Sequence, residues 1–232
     1  GVDSEIILRV YKDLGIPIDI YIFRYENGLN IREFNHAINV CLLLGVDYTI
    51  IDFNLQKFFE NDAYDFWKKV YCGTSGRLPH MKFAEYVDEI PIFGSGEPYW
   101  IRKDNGSWVF EFDEDARSWA LYYQTINRSV ICDWYEYNPE IILSYMNTSG
   151  MIDLLNDQVP GKLSTNSSKS VFHKELWPDI HVRPKLVGFE GVMMPGKKSK
   201  PDFMLAFEKE FIDGKIFPKK FYYTQDEIVN FL

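Results

Sequence analysis

The first half of the chain alternates helical and strand-like segments, and the connections between them are short. Residues 5–14 have the apolar spacing of a helix, and residues 18–25 form an apolar and aromatic run typical of a strand. A second helical pattern at residues 30–44 is followed by a second strand-like run at residues 46–53. Strands separated by a helix in this way favour parallel crossover units. The sequence therefore predicts an α/β fold with an open, mainly parallel sheet and helices on both of its faces.

The ends of the second helix have recognisable signals. Asn30 followed three residues later by Glu33 is typical of a capping box, and Gly45 is a typical C-terminal stop. Further helices are expected at residues 55–70 and 79–87. A short strand is expected at residues 89–93, leading into a glycine-containing loop at residues 94–98.

Beyond this loop the pattern changes to that of a hairpin followed by helices. Residues 100–112 contain two strand-like runs around the turn Asp104-Asn105-Gly106. Helices are expected at residues 114–126 and after Pro139, and residues 164–170 form a polar loop. We therefore divide the chain into an α/β core at residues 1–98 and a C-terminal α+β extension at residues 99–232, which would complete the substrate side.

Composition narrows the range of functions. The 232 residues are 46% apolar and 17% aromatic, which is enough for one sizeable core. The net charge of −9 argues against a general binder of nucleic acid or anionic membranes, and no apolar run is long enough to span a membrane. Three well-separated cysteines and the lack of a secretory signal favour a reducing, cytoplasmic setting. The oligomeric state stays open, with a homodimer as one possibility.

The tetrapeptide Gly1-Val2-Asp3-Ser4 runs directly into the first helix. A glycine turn that opens a helix directs free backbone N–H groups and the positive end of the helix dipole at one point, which suits a phosphate. An ordinary helix start with Asp3 or Ser4 as the N-cap is the alternative interpretation.

A second glycine loop, Gly94-Ser95-Gly96-Glu97, follows the strand expected at residues 89–93. In an open parallel sheet, ligands bind at the carboxyl ends of the strands, and both glycine loops would lie at that edge. The glycines allow the backbone to approach a ligand closely, with Glu97 beside it, but they also suit a tight turn without chemistry.

Together these elements resemble the PP-loop ATP pyrophosphatases. This group includes the synthetase domains of asparagine, GMP and NAD synthetases and 7-cyano-7-deazaguanine synthase. Its signature is Ser-Gly-Gly-x-Asp-Ser, and residues 1–4 match the last four positions. The resemblance covers roughly residues 1–100, and the loop at residues 94–97 resembles the Gly-x-Gly-x-Asp-Glu element of asparagine synthetases. Because the leading Ser-Gly and the strand before it are absent, we expect further residues upstream of Gly1.

The resemblance implies cleavage of ATP between its α- and β-phosphates. A substrate oxygen attacks the α-phosphorus, pyrophosphate leaves, and a nitrogen nucleophile attacks the adenylated substrate. The backbone of Gly1, Val2, Asp3 and Ser4 would cradle the pyrophosphate, with the Ser4 hydroxyl donating to it. Asp3 would bind Mg²⁺ or orient the loop, and Glu97 would help to hold the ion. The Gly94-Ser95-Gly96 backbone would lie against the nucleotide. The pair Glu97-Pro98 in place of Asp-Glu leaves the metal role of that loop open.

Other residues are expected around the nucleotide. In the enzymes that this chain resembles, the adenine pocket lies beside the second strand, which corresponds to residues 18–25 here. Phe23, Arg24 and Tyr25 are therefore candidates for contact, with packing at a strand end as the alternative. Arg183 and Lys185 are two residues apart and would point to one side of an extended chain. They could clamp the leaving pyrophosphate, or they could belong to a solvated strand face.

We therefore predict an ATP-dependent ligase that adenylates a small-molecule substrate, with ammonia arriving free or from a separate source. The cysteines lack the cluster usual in the deazaguanine synthase branch, so the asparagine-synthetase-like branch is expected to be nearest. A non-catalytic nucleotide-binding or assembly protein with the same fold is the alternative. A third possibility is that residues 1–4 match by accident and the chain is merely an α/β domain.

Overall fold

The computed structural model describes residues 2–70, 72–94, 99–102, 104–111, 122–123, 126–129, 140, 143–144, 147, 173–180, 200–214 and 222–224. The helices are α1 (Val2–Asp13), α2 (Ile31–Leu44), α3 (Leu55–Asn61), α4 (Ala63–Val70), α5 (Leu78–Phe83) and α6 (Asp202–Phe207). The strands are β1 (Tyr21–Tyr25), β2 (Thr49–Phe53), β3 (Tyr99–Arg102), β4 (Trp108–Glu111) and β5 (Tyr222–Thr224). Within these ranges, no helix is long and apolar enough to cross a membrane.

The first two strands form a parallel pair, as the sequence predicts. Their register runs from Tyr21 opposite Thr49 to Tyr25 opposite Phe53, so both strands end at the same edge. Helix α2 connects them, which makes β1–α2–β2 a crossover unit. The protein is therefore a mixed helix and strand structure with a small parallel sheet, which is compatible with an α/β fold.

Both strands begin three residues later than the apolar pattern suggests. Residues 16–20 and 46–48 have no regular secondary structure, and the parallel ladder begins only at Tyr21 and Thr49. The C-terminal end of α2, in contrast, lies where it was predicted. Gly45 adopts the left-handed conformation with φ of 64°, and its N–H donates to the carbonyls of Cys41 and Leu42. This is a conformation in which glycine has no steric cost.

Three predictions about local structure are wrong. Asn30 precedes α2, but its side chain makes no capping hydrogen bond, so the capping box with Glu33 does not form. Residues 89–93 do not form a strand: within 87–94 only Ile92 makes an isolated bridge. Pro91 lacks the N–H that a ladder needs, which explains the difference. The helix expected at residues 79–87 ends at Phe83 and tightens into a 3₁₀ turn, Ala84–Tyr86.

The predicted hairpin is confirmed. Strands β3 and β4 pair antiparallel from Tyr99 opposite Glu111 to Arg102 opposite Trp108. Strand β5 adds to β4, also antiparallel, and the sequence analysis did not predict it. The helix expected at residues 114–126 lies mostly outside the described residues, as does the polar loop at residues 164–170.

A large aromatic core covers one face of the parallel pair. Side chains alternate along β1, so Tyr21, Phe23 and Tyr25 share this face. The Phe23 ring lies 3.9 Å from the Phe83 ring and 5.1 Å from the Phe53 ring, centroid to centroid. The cluster also contains buried residues from later in the chain, namely Tyr122, Tyr123, Met204, Phe207 and Ile212. The opposite face has a second cluster, formed by Leu8, Ile22, Phe34, Val40 and Cys41.

A charged cluster ties α6 to the loop before α5. Glu208 begins a π-helical turn, and its Oε1 accepts hydrogen bonds from the backbone N–H of Ser75 at 3.0 Å and the Ser75 hydroxyl at 2.7 Å. Lys200 donates to the same oxygen and to the Thr74 hydroxyl. Partial burial opposes ionisation of Glu208, but the hydrogen bonds from Lys200 and Ser75 outweigh it and lower its pKa.

Candidate functional site

Helix α1 is oriented so that its first turn points towards the carboxyl edge of the parallel strands. Its C-terminal end and residues 15–20 line a cavity together with residues 46–49, which lead into β2. The end of α1 and the beginnings of both strands therefore lie together. Because a 12-residue helix is about 18 Å long, the opposite end of α1 reaches the level at which β1 and β2 end.

The residues predicted to hold phosphate lie at this end of α1. The helix begins at Val2, so Val2, Asp3 and Ser4 belong to its first turn and neither Asp3 nor Ser4 is an N-cap. Ser4 is exposed. The first N–H groups of a helix have no partner within the helix and lie at the positive end of its dipole. Gly1 lies outside the described residues.

A cavity of about 250 Å³ opens at the carboxyl end of β1 and β2. The 3₁₀ turn Glu26–Gly28 shapes its rim, with φ of 59° at Asn27 and 67° at Gly28. Its lining combines polar groups with two apolar side chains: Arg24, Tyr25, Glu26, Asn27, Gly28, Asn30, Ile31, Phe34 and Asp52. Ligand pockets are commonly about 300–1,000 Å³. This cavity therefore suits one portion of a ligand, such as an aromatic base, rather than a whole nucleotide.

The buried Asn30 side chain fixes the end of β1 beside this cavity. Its Oδ1 accepts a hydrogen bond from the Tyr25 N–H at 2.9 Å, and its Nδ2 donates to the Phe23 carbonyl at 3.0 Å. The Ile20 carbonyl accepts a hydrogen bond from the Thr49 N–H, so it points towards β2. Backbone groups alternate in direction along a strand, so the backbone N–H and C=O of Phe23 and Tyr25 point to the other edge of β1. The Asn30 amide thus takes the place of a peptide group from a neighbouring strand.

Arg24 and Asp52 form an ion pair across the two strands at the mouth of the cavity. They are directly opposite in the ladder, and Arg24 Nη2 donates to Asp52 Oδ2 at 2.7 Å. The hydrogen bond from Arg24 lowers the pKa of Asp52. The Arg24 guanidinium also lies 5.8 Å from the centre of the Phe34 ring. Both charged groups are exposed, so they are available to a ligand.

Two of the three predicted base contacts, Arg24 and Tyr25, line the cavity. Tyr25 also belongs to the aromatic core, on the face that it shares with Phe23. Phe23 packs against Phe53 and Phe83 and does not line the cavity. Asp52 and Asn30 were not predicted from the sequence as neighbours of Arg24 and Tyr25. The signal that could have found Asp52 is its position near the end of the second strand, in the same place as Arg24 in the first.

A buried ion cluster lies just below the first turn of α1. Arg9 Nε donates to Glu5 Oε1 at 2.9 Å, and the two side chains are only 5% and 4% exposed. The other carboxylate oxygen, Glu5 Oε2, has no hydrogen-bond partner among the described residues, and His36 Nε2 lies 3.5 Å from it. Arg9 Nη1 reaches both carboxylate oxygens of Asp179, at 3.1 and 3.2 Å. This cluster was not predicted from the sequence, although a Glu and an Arg four residues apart in an apolar helix were a signal.

The other predicted site residues belong to the second glycine loop and to the segment after Asp179. Gly94 is described, but Ser95, Gly96 and Glu97 lie outside the described residues, as do Arg183 and Lys185. Among the side chains that the structure describes, no group of three or more His, Cys, Asp or Glu residues could hold a metal ion.

Comparison with known proteins gives one informative match. The chain is 32% identical over 105 residues to a 7-cyano-7-deazaguanine synthase of Methanocaldococcus jannaschii. The match covers 45% of this chain and 41% of that protein, so less than half of the relative's length is represented. No family model and no solved structure matches the chain. The relative belongs to the enzymes that residues 1–100 resemble, whereas the predicted nearness to asparagine synthetases is not shown.

Proposed function

We propose that the protein is an ATP-using synthetase of the PP-loop type. The observation that carries the proposal is that the first turn of α1 and the cavity at the end of β1 share one edge of the parallel sheet. Ligands of open α/β sheets bind at that edge. The similarity to a deazaguanine synthase over 105 residues supports the same assignment.

The two features of this edge suit the two ends of ATP. Free N–H groups at the start of α1 would receive the phosphates, with Asp3 and Ser4 beside them. The cavity beyond β1 would receive the adenine. There the Phe34 ring and Ile31 offer apolar contact, and Asp52 offers an acceptor for an amino group.

ATP would enter as its magnesium complex. Magnesium is commonly held by one or two carboxylates together with phosphate oxygens, so a large carboxylate cluster is not required. Asp3 suits this role because its position in the first turn of α1 is next to the proposed phosphate site. Glu97 is the second carboxylate we propose for the ion. The ion would neutralise phosphate charge, which favours departure of pyrophosphate.

Arg183 and Lys185 are proposed as the cations that bind the leaving pyrophosphate. Asp179 is fixed beside Arg9, and Arg183 follows it by four residues. Four residues of chain span at most about 14 Å. Arg9 lies five residues beyond Ser4, which is about 7.5 Å along the helix axis. Arg183 and Lys185 are therefore within chain reach of the first turn of α1.

The reaction we propose begins with attack of a substrate oxygen on the α-phosphorus of ATP. The bond to the bridging oxygen breaks, pyrophosphate leaves, and AMP stays on the substrate until a nitrogen nucleophile displaces it. The protein contributes position and charge rather than a covalent bond. The acceptor is a small molecule with a carboxylate or carbonyl oxygen, and the nitrogen arrives as ammonia, free or from a separate source.

Binding of magnesium–ATP to the full-length protein tests the proposal. We expect Asp3→Ala to weaken binding of magnesium–ATP by about tenfold or more, because it removes a carboxylate ligand of the ion that the phosphates carry. Asp202→Ala is the matched control, since Asp202 is exposed in the first turn of α6 and should not affect binding.

Two results together would contradict the enzymatic assignment. The first is ATP binding that survives Asp3→Ala unchanged. The second is a lack of pyrophosphate release with every member of a panel of carboxylate and base substrates. Binding that depends on Asp3 but never yields pyrophosphate would instead indicate a non-catalytic nucleotide-binding protein with this fold.

A further inference from the structure

A segment from the C-terminal half of the chain lies alongside α1. Trp177 Nε1 donates to Asp13 Oδ2 at 2.9 Å, and Asp179 accepts from Arg9 as described above. Asp13 and Arg9 are one helical turn, about 6 Å, apart along α1. Residues 177–180 form a turn in which the Ile180 N–H donates to the Trp177 carbonyl at 2.9 Å, and this turn contacts α1 at both positions. Ile180, the next residue, is buried and anchors this end of the segment.

Arg9 connects this segment to the buried start of α1. Its guanidinium uses Nε towards Glu5 and Nη1 towards Asp179, so two carboxylates fix its orientation. Glu5 directly follows Ser4 in the chain. A buried carboxylate is tolerated only with a charged partner, and an unneutralised Glu5 would repel phosphates bound one turn away. The position of Arg9 thus affects the electrostatics of the proposed phosphate site.

We propose that Asp179 is a positioning residue for ATP binding. By holding Arg9 against Glu5, it keeps the first turns of α1 ordered before the phosphates arrive. When the first turns of α1 are already ordered, the free-energy cost of ordering them is not subtracted from the binding energy, so the affinity for ATP is higher. This inference rests on the proposed function, because it assigns the ordered turn to phosphate binding.

The test compares Asp179→Asn with a matched control, Asp65→Asn. Both carboxylates are exposed, 61% and 75%, and each pairs with a cation, but the partner of Asp65 is Lys68 of the same helix, α4, whereas that of Asp179 is the buried Arg9 of α1. Hydrogen exchange of the α1 amides is measured without nucleotide, and the dissociation constant of magnesium–ATP is measured separately. Thermal unfolding verifies that each variant is folded.

We expect Asp179→Asn to accelerate amide exchange in the first turns of α1 and to weaken ATP binding by about three- to tenfold. Asp65→Asn should change neither quantity. Asp179→Glu keeps the charge and should recover most of the affinity.

Each contrary result has a separate meaning. Unchanged exchange in Asp179→Asn would show that the Asp179–Arg9 contact does not order the first turns of α1, which overturns the proposal. Faster exchange with unchanged ATP affinity overturns the positioning role and leaves a purely structural contact. If the wild-type protein does not bind ATP while Asp179→Asn still accelerates exchange, the proposed function fails together with the role of Asp179 in ATP binding. Only the ordering of α1 by the Asp179–Arg9 contact is then supported.

Discussion

Replacement of Asn30 by alanine would remove the side chain that fixes the end of β1 beside the cavity. Two hydrogen bonds are lost, from the Tyr25 N–H at 2.9 Å and to the Phe23 carbonyl at 3.0 Å. A typical hydrogen bond contributes about 0.5–1.5 kcal/mol net, and a buried group left without a partner costs about 1–3 kcal/mol. Since Asn30 is 7% exposed, water cannot easily replace it. We expect Asn30→Ala to lower the free energy of unfolding by about 2–3 kcal/mol.

Urea unfolding at neutral pH measures this loss directly. The midpoint should fall while the slope stays constant, because the surface exposed on unfolding hardly changes. For a chain of this length, about 2–3 kcal/mol corresponds to a fall in Tm of about 4–12 °C. The control is Asn35→Ala, at an exposed position of the same helix, where we expect a change within about 0.5 kcal/mol.

The result that would refute this reasoning is a loss of less than about 0.5 kcal/mol for Asn30→Ala, similar to the control. It would mean that the amide does not replace a strand peptide at the edge of β1. A loss of the expected size together with weaker ATP binding would also show that the end of β1, which Asn30 fixes, contributes to the proposed adenine cavity.

Three further predictions concern other parts of the structure. Gly45→Ala should cost about 1 kcal/mol in urea unfolding because φ is 64° there, and no loss would contradict the left-handed end of α2. Partial burial opposes ionisation of Glu208, but the hydrogen bonds from Lys200 and Ser75 keep its pKa below the usual 4.5. The ionised Glu208 side chain therefore contributes fully to folding stability above that pH, and this contribution is lost as the pH falls below it. Glu208→Gln should therefore be less stable at neutral pH and lose less stability between about pH 6 and pH 3, which acid and urea titrations measure. Asp52→Asn should leave Tm unchanged, since its pair with Arg24 is exposed, but weaken ATP binding several-fold; unchanged binding would exclude Asp52 from the base site.

The elements that the sequence predicted correctly are those governed by local chemistry. Gly45 ends α2 because a left-handed residue is needed there, and the turn at Asp104–Gly106 joins the two strands of the hairpin. The parallel pairing of β1 and β2 also followed from a local pattern, two strand-like runs with a helix between them. In each case residues close in sequence determine the geometry.

The features that the sequence did not predict depend on contacts between distant residues. Asn30 has the residue type of a helix cap, but its side-chain amide forms hydrogen bonds with the backbone of Tyr25 and Phe23 at the edge of β1 instead. Besides Glu5, Arg9 pairs with Asp179, which is 170 residues away, and no local pattern could indicate this second partner. Strand β5 has only three residues and exists because β4 offers an edge to it. Pairings of this kind are decided by the assembled fold rather than by local preference.

The products of ATP turnover test the central claim most directly. The full-length protein is incubated with magnesium–ATP and a panel of carboxylate and base substrates, with and without ammonia, and the nucleotide and phosphate products are identified. A PP-loop synthetase should release AMP and pyrophosphate in equal amounts with the right acceptor, and Asp3→Ala should abolish this release. Formation of ADP and phosphate, or pyrophosphate release that Asp3→Ala leaves unchanged, would contradict the account.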